Sequence, residues 1–171
     1  MRILGIDPSL RSTGLCLLVD KRVQMSHTIQ TYDLRGMVRL GYIADTINDY
    51  LTCKPDLIVI EGYAMGVKGS RVFDIGEMGY AIKKVLYDSG IETWIVAPTS
   101  MKKFVTGKGT SNKSVVQDSL LTKWDIDIEQ EDESDACGLA LFGYYIKHRR
   151  EQRRLTENQR DALLSMDLLN Y

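Results

Sequence analysis

Residues 2–20 read Arg-Ile-Leu-Gly-Ile-Asp-Pro-Ser-Leu-Arg-Ser-Thr-Gly-Leu-Cys-Leu-Leu-Val-Asp. The first apolar run is closed by an acid and a proline, and the second ends at Asp20. With the strand-like stretch 23–31, separated from the second run by Asp20, Lys21 and Arg22, these residues predict an antiparallel meander. From Gly36 the period changes: Met37, Leu40, Ala44, Ile47 and Leu51 recur at steps of three and four, an amphipathic helix stopped by Pro55. Leu57-Ile58-Val59-Ile60-Glu61 is an uninterrupted apolar run ending in a carboxylate, the pattern of a strand covered on both faces. A second helix carries Ile75, Met78, Ile82 and Val85 and stops near Gly90; another strand spans 91–97. A polar stretch from Thr99 to Asn112, a helix over 112–124 and a helix over 132–148 follow. Strands first, then helix and strand in alternation, predict a mixed five-stranded sheet with helices on both faces.

The chain has 171 residues, 44% of them hydrophobic and 26% charged, with a formal net charge of -1. That composition fits one globular unit with a full core and gives no reason to invoke disorder, a disulfide scaffold or a membrane span. Cys16, Cys53 and Cys137 are odd in number and show no ligand spacing, which suits a reducing compartment. Asp7 interrupts the first apolar run too early for a secretory signal, so the expected location is cytoplasmic. We expect residues 1–148 to form the principal domain. Residues 149–171 are read as a charged helical extension of it, in which Thr156 and Gln159 form a capping box ahead of Leu163, Met166 and Leu169.

Three acidic features stand out. Asp7 and Glu61 each end an apolar strand, where site chemistry is common in open sheets. The third is Glu131-Asp132-Glu133-Ser134-Asp135 at the start of a helix, a place where acids are favoured by the helix dipole alone. At about 100° per residue, however, Asp132 and Asp135 share a sector with Leu139, Phe142 and Ile146, the face that meets the sheet, whereas Glu133 falls outside it. Carboxylates on a buried face are costly unless basic side chains or metal ions pair with them. Four converging carboxylates without histidine or cysteine make an all-oxygen site suited to Mg²⁺ or Mn²⁺. Such sites commonly hold two ions for phosphodiester hydrolysis. Neither His27 nor His148 neighbours a plausible serine or cysteine nucleophile.

The polar stretch offers Lys102, Lys103, Lys108 and Lys113, with no acid from Thr99 to Gln117. Its Gly107-Lys108-Gly109-Thr110 is not a P-loop, because the first glycine is missing and no strand leads directly into it. The near-neutral total hides polarity. Residues 125–135 hold seven acids and no base, and 147–160 hold six basic residues against two acids. Two divalent ions would turn the acidic centre into one that accepts a phosphate, so neutrality does not exclude nucleic acid.

Together, Gly5-Ile6-Asp7-Pro8-Ser9-Leu10-Arg11-Ser12-Thr13-Gly14, Ile60-Glu61, the two lysines Lys102 and Lys113 around Thr106-Gly107-Lys108-Gly109, and Asp132-Glu133-Ser134-Asp135-Ala136 resemble the RuvC-type Holliday junction resolvases of the ribonuclease H-like fold. The resemblance covers roughly residues 2–147. It implies a metal-dependent endonuclease acting on four-way or other branched DNA, with Asp7, Glu61, Asp132 and Asp135 holding two Mg²⁺ ions, for which Mn²⁺ would substitute. It also implies that Lys102 and Lys113 meet DNA phosphates, with Lys113 offsetting charge in the transition state. Lys103, Lys108, Lys68 and Arg71 are further candidate DNA contacts. The family usually has glycine where this chain has Ser9. It carries an aromatic wedge at the position of Ala64, a role we assign to neighbouring Tyr63. Paired nicks in a two-fold symmetric junction imply a homodimer, with the helix bearing Met78 and Gly79 as the contact. A branch-migration helicase partner is not readable from the residues. The competing readings are an actin- or sugar-kinase-like nucleotide-binding protein, for which the chain lacks room for a second domain, and a non-catalytic junction- or RNA-binding relative.

Overall fold

In a computed structural model, which describes residues 1–62 and 71–168, six strands form one sheet in the order β3-β2-β1-β4-β5-β6. The strands are β1 (Arg2–Asp7), β2 (Ser12–Val19), β3 (Arg22–Gln30), β4 (Leu57–Glu61), β5 (Thr93–Val96) and β6 (Met166–Leu168). β1, β2 and β3 form the expected antiparallel meander, its β2–β3 turn made by Asp20 and Lys21 at positive φ. β4 joins β1 in parallel, and β5 joins β4 the same way.

Among the described residues there are six α-helices: α1 (Gly36–Leu51), α2 (Arg71–Ser89), α3 (Pro98–Thr106), α4 (Lys113–Trp124), α5 (Glu131–Lys147) and α6 (Glu157–Leu163). Strand alternation decides which side chains meet which helices. Leu4, Ile6, Ile58 and Ile60 pack with Ile43, Ile47, Ile82 and Leu86 of α1 and α2. Ile3, Cys16, Leu57 and Val59 pack with α5 and, through it, with Phe104 of α3 and Leu120 of α4. α5 is therefore buried along most of its length, between the sheet on one side and α3, α4 and α6 on the other.

The contact of α5 with β1 and β2 is a backbone contact. A Cβ added at Gly5 would overlap the carbonyl oxygen of Ala136, and one at Gly14 would overlap that of Asp132. Glycine is required here by close approach and not by backbone conformation, since neither residue has a positive φ. Ser9, where the resemblance expects glycine, also lacks a positive φ; Thr13 closes the β1–β2 turn instead, its hydroxyl donating to the Ser9 carbonyl at 2.7 Å and accepting from the Ser9 amide at 3.1 Å.

Four expectations are corrected. The stretch after Pro98 is a helix: Pro98 fills its first turn, Met101, Phe104 and Val105 form a buried stripe, and Gly107 ends it at φ 92°. The sheet has six strands, because Met166–Leu168 pairs antiparallel with β5 and caps an otherwise open edge. The capping box at Thr156 and Gln159 forms as expected, but the helix it starts ends at Leu163. Met78 and Gly79 face inward, Met78 being 3% exposed, and the apolar side chains that α2 presents outward are Val72, Phe73, Tyr80 and Tyr87. No helix among the described residues is long and apolar enough to cross a membrane.

The two kinds of glycine give opposite expectations. Gly14→Ala should lower unfolding free energy by about 1–3 kcal/mol through forced separation of β2 from α5. Gly41→Ala, whose added Cβ meets open space in α1, should raise it by about 0.5–1 kcal/mol. Urea denaturation of both variants checks the contrast.

Candidate active site

Parity along the strands places the first two acids. Asp7 follows Ile3 and Gly5 on the α5 side of β1, and Glu61 follows Leu57 and Val59 on the same side of β4. Because Ile6 pairs with Ile60 in a parallel ladder, Asp7 and Glu61 end neighbouring strands side by side. The first turn of α5 lies over these ends, held there by the Gly5 and Gly14 contacts, and supplies Asp132 and Asp135. Asp7 and Asp135 are buried, at 9% and 3% exposure. Glu133 points away and accepts a hydrogen bond from Thr28 of β3 at 3.1 Å, as its helical sector predicts.

Two donors hold Asp132. The Ser12 hydroxyl, on the α5 side of β2, donates to one carboxylate oxygen, and the Lys113 ammonium donates to the other in a short ion pair. Lys113 also lies 3.8 Å from Asp135 Oδ2, while Asp135 Oδ1 is buried and has no hydrogen-bond partner. Ser12 was not among the sequence candidates. Its signal was present in the spacing, since Ser12 shares parity with Gly14 and Cys16 and so must face the same helix as they do.

The electrostatics follow from this crowding. Burial, the adjoining Glu61 carboxyl and repulsion from Asp132 push the Asp7 carboxyl well above its ordinary range, with Lys113 opposing. Burial and the Asp7 charge raise Asp135 to about 6, against partial relief from Lys113 and Lys102. Asp132 moves the other way: burial acts to raise it, but the hydrogen bonds from Lys113 and Ser12 prevail and lower it. Lys113 is half-buried, and desolvation acts to lower it, yet its acidic neighbours raise it.

Among the described residues no three acidic, histidine or cysteine side chains already close on one point as a finished metal cage. The donor set nevertheless fits a hard divalent cation. It is all oxygen, it contains an unpartnered buried carboxylate atom, and its acids repel one another. Asp7, Glu61, Asp132 and Asp135 are the residues that could hold such an ion.

The basic candidates separate. Lys102 is near enough to Asp135 to influence its charge, and Lys113 opens α4, which is capped by Asn112. Lys103 instead reaches Asp161 of α6 at 3.7 Å. Lys108 is exposed in the loop between α3 and α4. Tyr63 and Lys68 lie outside the described residues, as does the side chain of Arg71, whose backbone begins α2.

Comparison with known proteins gives a consistent picture. The family model "Crossover junction endodeoxyribonuclease RuvC" matches residues 3–142. The RuvC of Herminiimonas arsenicoxydans is 30% identical over 150 residues, covering 82% of each chain. That of Bdellovibrio bacteriovorus is also 30% identical, covering 82% of this chain and 88% of its own. In fold, the chain superposes on Thermus thermophilus RuvC in complex with a Holliday junction substrate with a TM-score of 0.76 at 19% identity, covering 87% of this chain and 96% of that one. The yeast mitochondrial Holliday junction resolvase is more distant, with a TM-score of 0.57 and 13% identity over 90% of this chain and 83% of its own.

The raised Asp135 fixes a pH dependence. A carboxyl held at about 6 in the folded chain, against an ordinary 3.8, binds its proton more tightly folded than unfolded. Its contribution to stability is therefore present near pH 4 and is lost as pH rises through about 6. In EDTA, Asp135→Asn should stabilise the protein at pH 7.5 by about 2 kcal/mol, with the gain vanishing near pH 4. Thermal or urea melts across that range check the sign.

Proposed function

Because the chain belongs to the RuvC family of crossover junction endodeoxyribonucleases, we propose that it is a Mg²⁺-dependent endonuclease that resolves Holliday junctions and related branched DNA by paired nicks. The observation that supports this reading is the crowding of Asp132 and Asp135 of α5 onto Asp7 of β1 beside Lys113, with Glu61 of β4 adjoining Asp7.

In this reading the four carboxylates hold two Mg²⁺ ions, or Mn²⁺ in their place, which when bound supply an activated water and neutralise the scissile phosphodiester. The chain's own residues do the positioning. Ser12 orients the carboxylate plane of Asp132 through its hydroxyl. Lys113, already among the acids, is the cation that turns to the phosphate and offsets the charge that develops there. Lys102 and Lys108 hold phosphates on either side, and Lys103 can join them only by leaving Asp161. The wedging role given to Tyr63, and the contacts given to Lys68 and Arg71, remain part of the proposal.

Burial of Asp7 and Asp135 favours an enzyme over a binding-only relative. A protein that only bound DNA would gain nothing from charges it must desolvate and hold against mutual repulsion. The two-fold symmetry of a junction asks for two sites, hence a homodimer. For its contact we propose the outward face of α2, where Phe73 and Tyr80 are 75% and 70% exposed, with Met37 and Val38 of α1 beside it.

Asp7→Asn should abolish cleavage of a four-way junction in Mg²⁺, by at least about a thousandfold, and leave junction binding in EDTA within a few-fold of wild type. Nicking assays on four-way, flap and duplex DNA, paired with gel-shift binding, provide the check. Retained cleavage by the variant would overturn the assignment of that carboxylate.

A further inference from the structure

The charged turn that follows α5 has no part in the site described above. α5 carries its carboxylates on its first turn, and its 17 residues span roughly 25 Å at about 1.5 Å per residue. Past its far end, Arg149 and Arg150 lead into a short 3₁₀ turn, Glu151–Arg154, which closes on Arg153 and Arg154. All four arginines are exposed, and among the described residues none of their side chains has an ion-pair or hydrogen-bond partner. The acids at this end are matched elsewhere. Glu151 accepts from Lys21 at 2.7 Å and from Tyr144 at 2.6 Å, Asp20 pairs with the N-terminal amine at 2.6 Å, and Glu92 pairs with Lys147 at 2.6 Å. Positive charge is therefore left uncompensated on a backbone that is held in place, since Leu155 is buried in the core and Gln152 donates to the Tyr145 carbonyl at 2.7 Å. The turn also lies beyond residues 3–142, the stretch that the family model matches.

A partner for this surface must carry several negative charges and must bind without an apolar anchor, because no large apolar side chain is exposed from Thr122 to Leu163. A folded protein partner is ordinarily held by aromatic or aliphatic side chains at the centre of the contact. The backbone of duplex DNA needs none. Its phosphates are closely spaced anions, and each accepts a pair of parallel hydrogen bonds from a guanidinium group. Taking from the nuclease reading only that the protein works on DNA, we propose that Arg149, Arg150, Arg153 and Arg154 form a second DNA-binding surface. It holds the backbone of a duplex segment while a junction occupies the carboxylate end of α5. Contacts to phosphate carry no sequence information, so the surface accepts any duplex. Its effect is retention: the protein stays on DNA between encounters with branch points, and that hold weakens steeply with salt.

The experiment loads wild-type protein in EDTA with unlabelled four-way junction to its stoichiometric point, then titrates it into a short fluorescent duplex and reads anisotropy. The loaded protein binds the duplex. Combining Arg149→Ala, Arg150→Ala, Arg153→Ala and Arg154→Ala weakens that binding by about tenfold or more and lowers the slope of log affinity against log salt by about three. Junction affinity, and junction cleavage in Mg²⁺, stay within about threefold of wild type, because the carboxylate end is untouched. Combining Arg149→Lys, Arg150→Lys, Arg153→Lys and Arg154→Lys keeps the charge and brings duplex binding back to within about threefold of wild type. Melting curves confirm that both variants fold. Equal duplex binding by wild type and the alanine variant overturns the proposal. So does duplex binding that disappears once the junction is loaded, since an arm of the same junction then fills the turn. Capture of polyglutamate through the four arginines, with no capture of duplex, assigns the turn to an acidic protein segment and also overturns it. Wild-type protein that binds duplex through the arginines without cutting a junction in Mg²⁺ contradicts the nuclease reading alone, and cutting without duplex binding contradicts the second surface alone.

Discussion

Backbone contact between α5 and the β1–β2 hairpin is the constraint on which the site depends. Gly5 and Gly14 let the carbonyls of Ala136 and Asp132 approach so closely that any side chain would part them. That approach lowers the first turn of α5 onto the ends of β1 and β4. Asp132 and Asp135 are thereby brought close to Asp7, which adjoins Glu61, and two of the four acids, Asp7 and Asp135, are buried. The crowding is unfavourable for folding. Burial and repulsion raise Asp7 and Asp135 in the absence of compensating charge, and Lys113 offsets part of it. A site that is costly when bare and relieved by added positive charge is suited to the divalent cations that the proposed function requires.

The fold beneath was legible where burial was two-sided. The apolar run 57–61 and the hairpin after residue 2 read as strands, each with a carboxylate at its end; that Asp7 and Glu61 stand side by side on one face follows only from the parallel pairing of β1 with β4. Asp132 and Asp135 were legible because helical spacing put them in the sector of Leu139 and Phe142. What failed to show was local structure with a weak pattern. α3 carries only Met101, Phe104 and Val105 as its apolar stripe among lysines and threonines, so by composition it reads as no more than a polar stretch. β6 is three residues long and exists because β5 offers it an edge, which no local propensity reveals. Met78 was misplaced because an apolar stripe does not say which of two surfaces it covers; tertiary packing gives it to the core and leaves Phe73 and Tyr80 outside.

The site also shows why a near-neutral chain can be a nucleic-acid enzyme. Charge is divided by position. Acids lie at the strand ends and on the first turn of α5, lysines border them on α3 and α4, and three arginines, Arg11, Arg35 and Arg39, line a cavity on the other side of the same strand ends. A DNA strand passing over the ends of β1 and β4 would meet positive charge on both sides of the carboxylates. Net charge averages this arrangement away.

Anomalous diffraction from crystals grown with Mn²⁺ and a four-way junction tests the central claim most directly. The account predicts manganese peaks bounded by Asp7, Glu61, Asp132 and Asp135, with Lys113 moved from Asp132 toward a phosphate of the DNA. Peaks elsewhere, or none, with Lys113 still paired to Asp132 beside a bound junction, would contradict it.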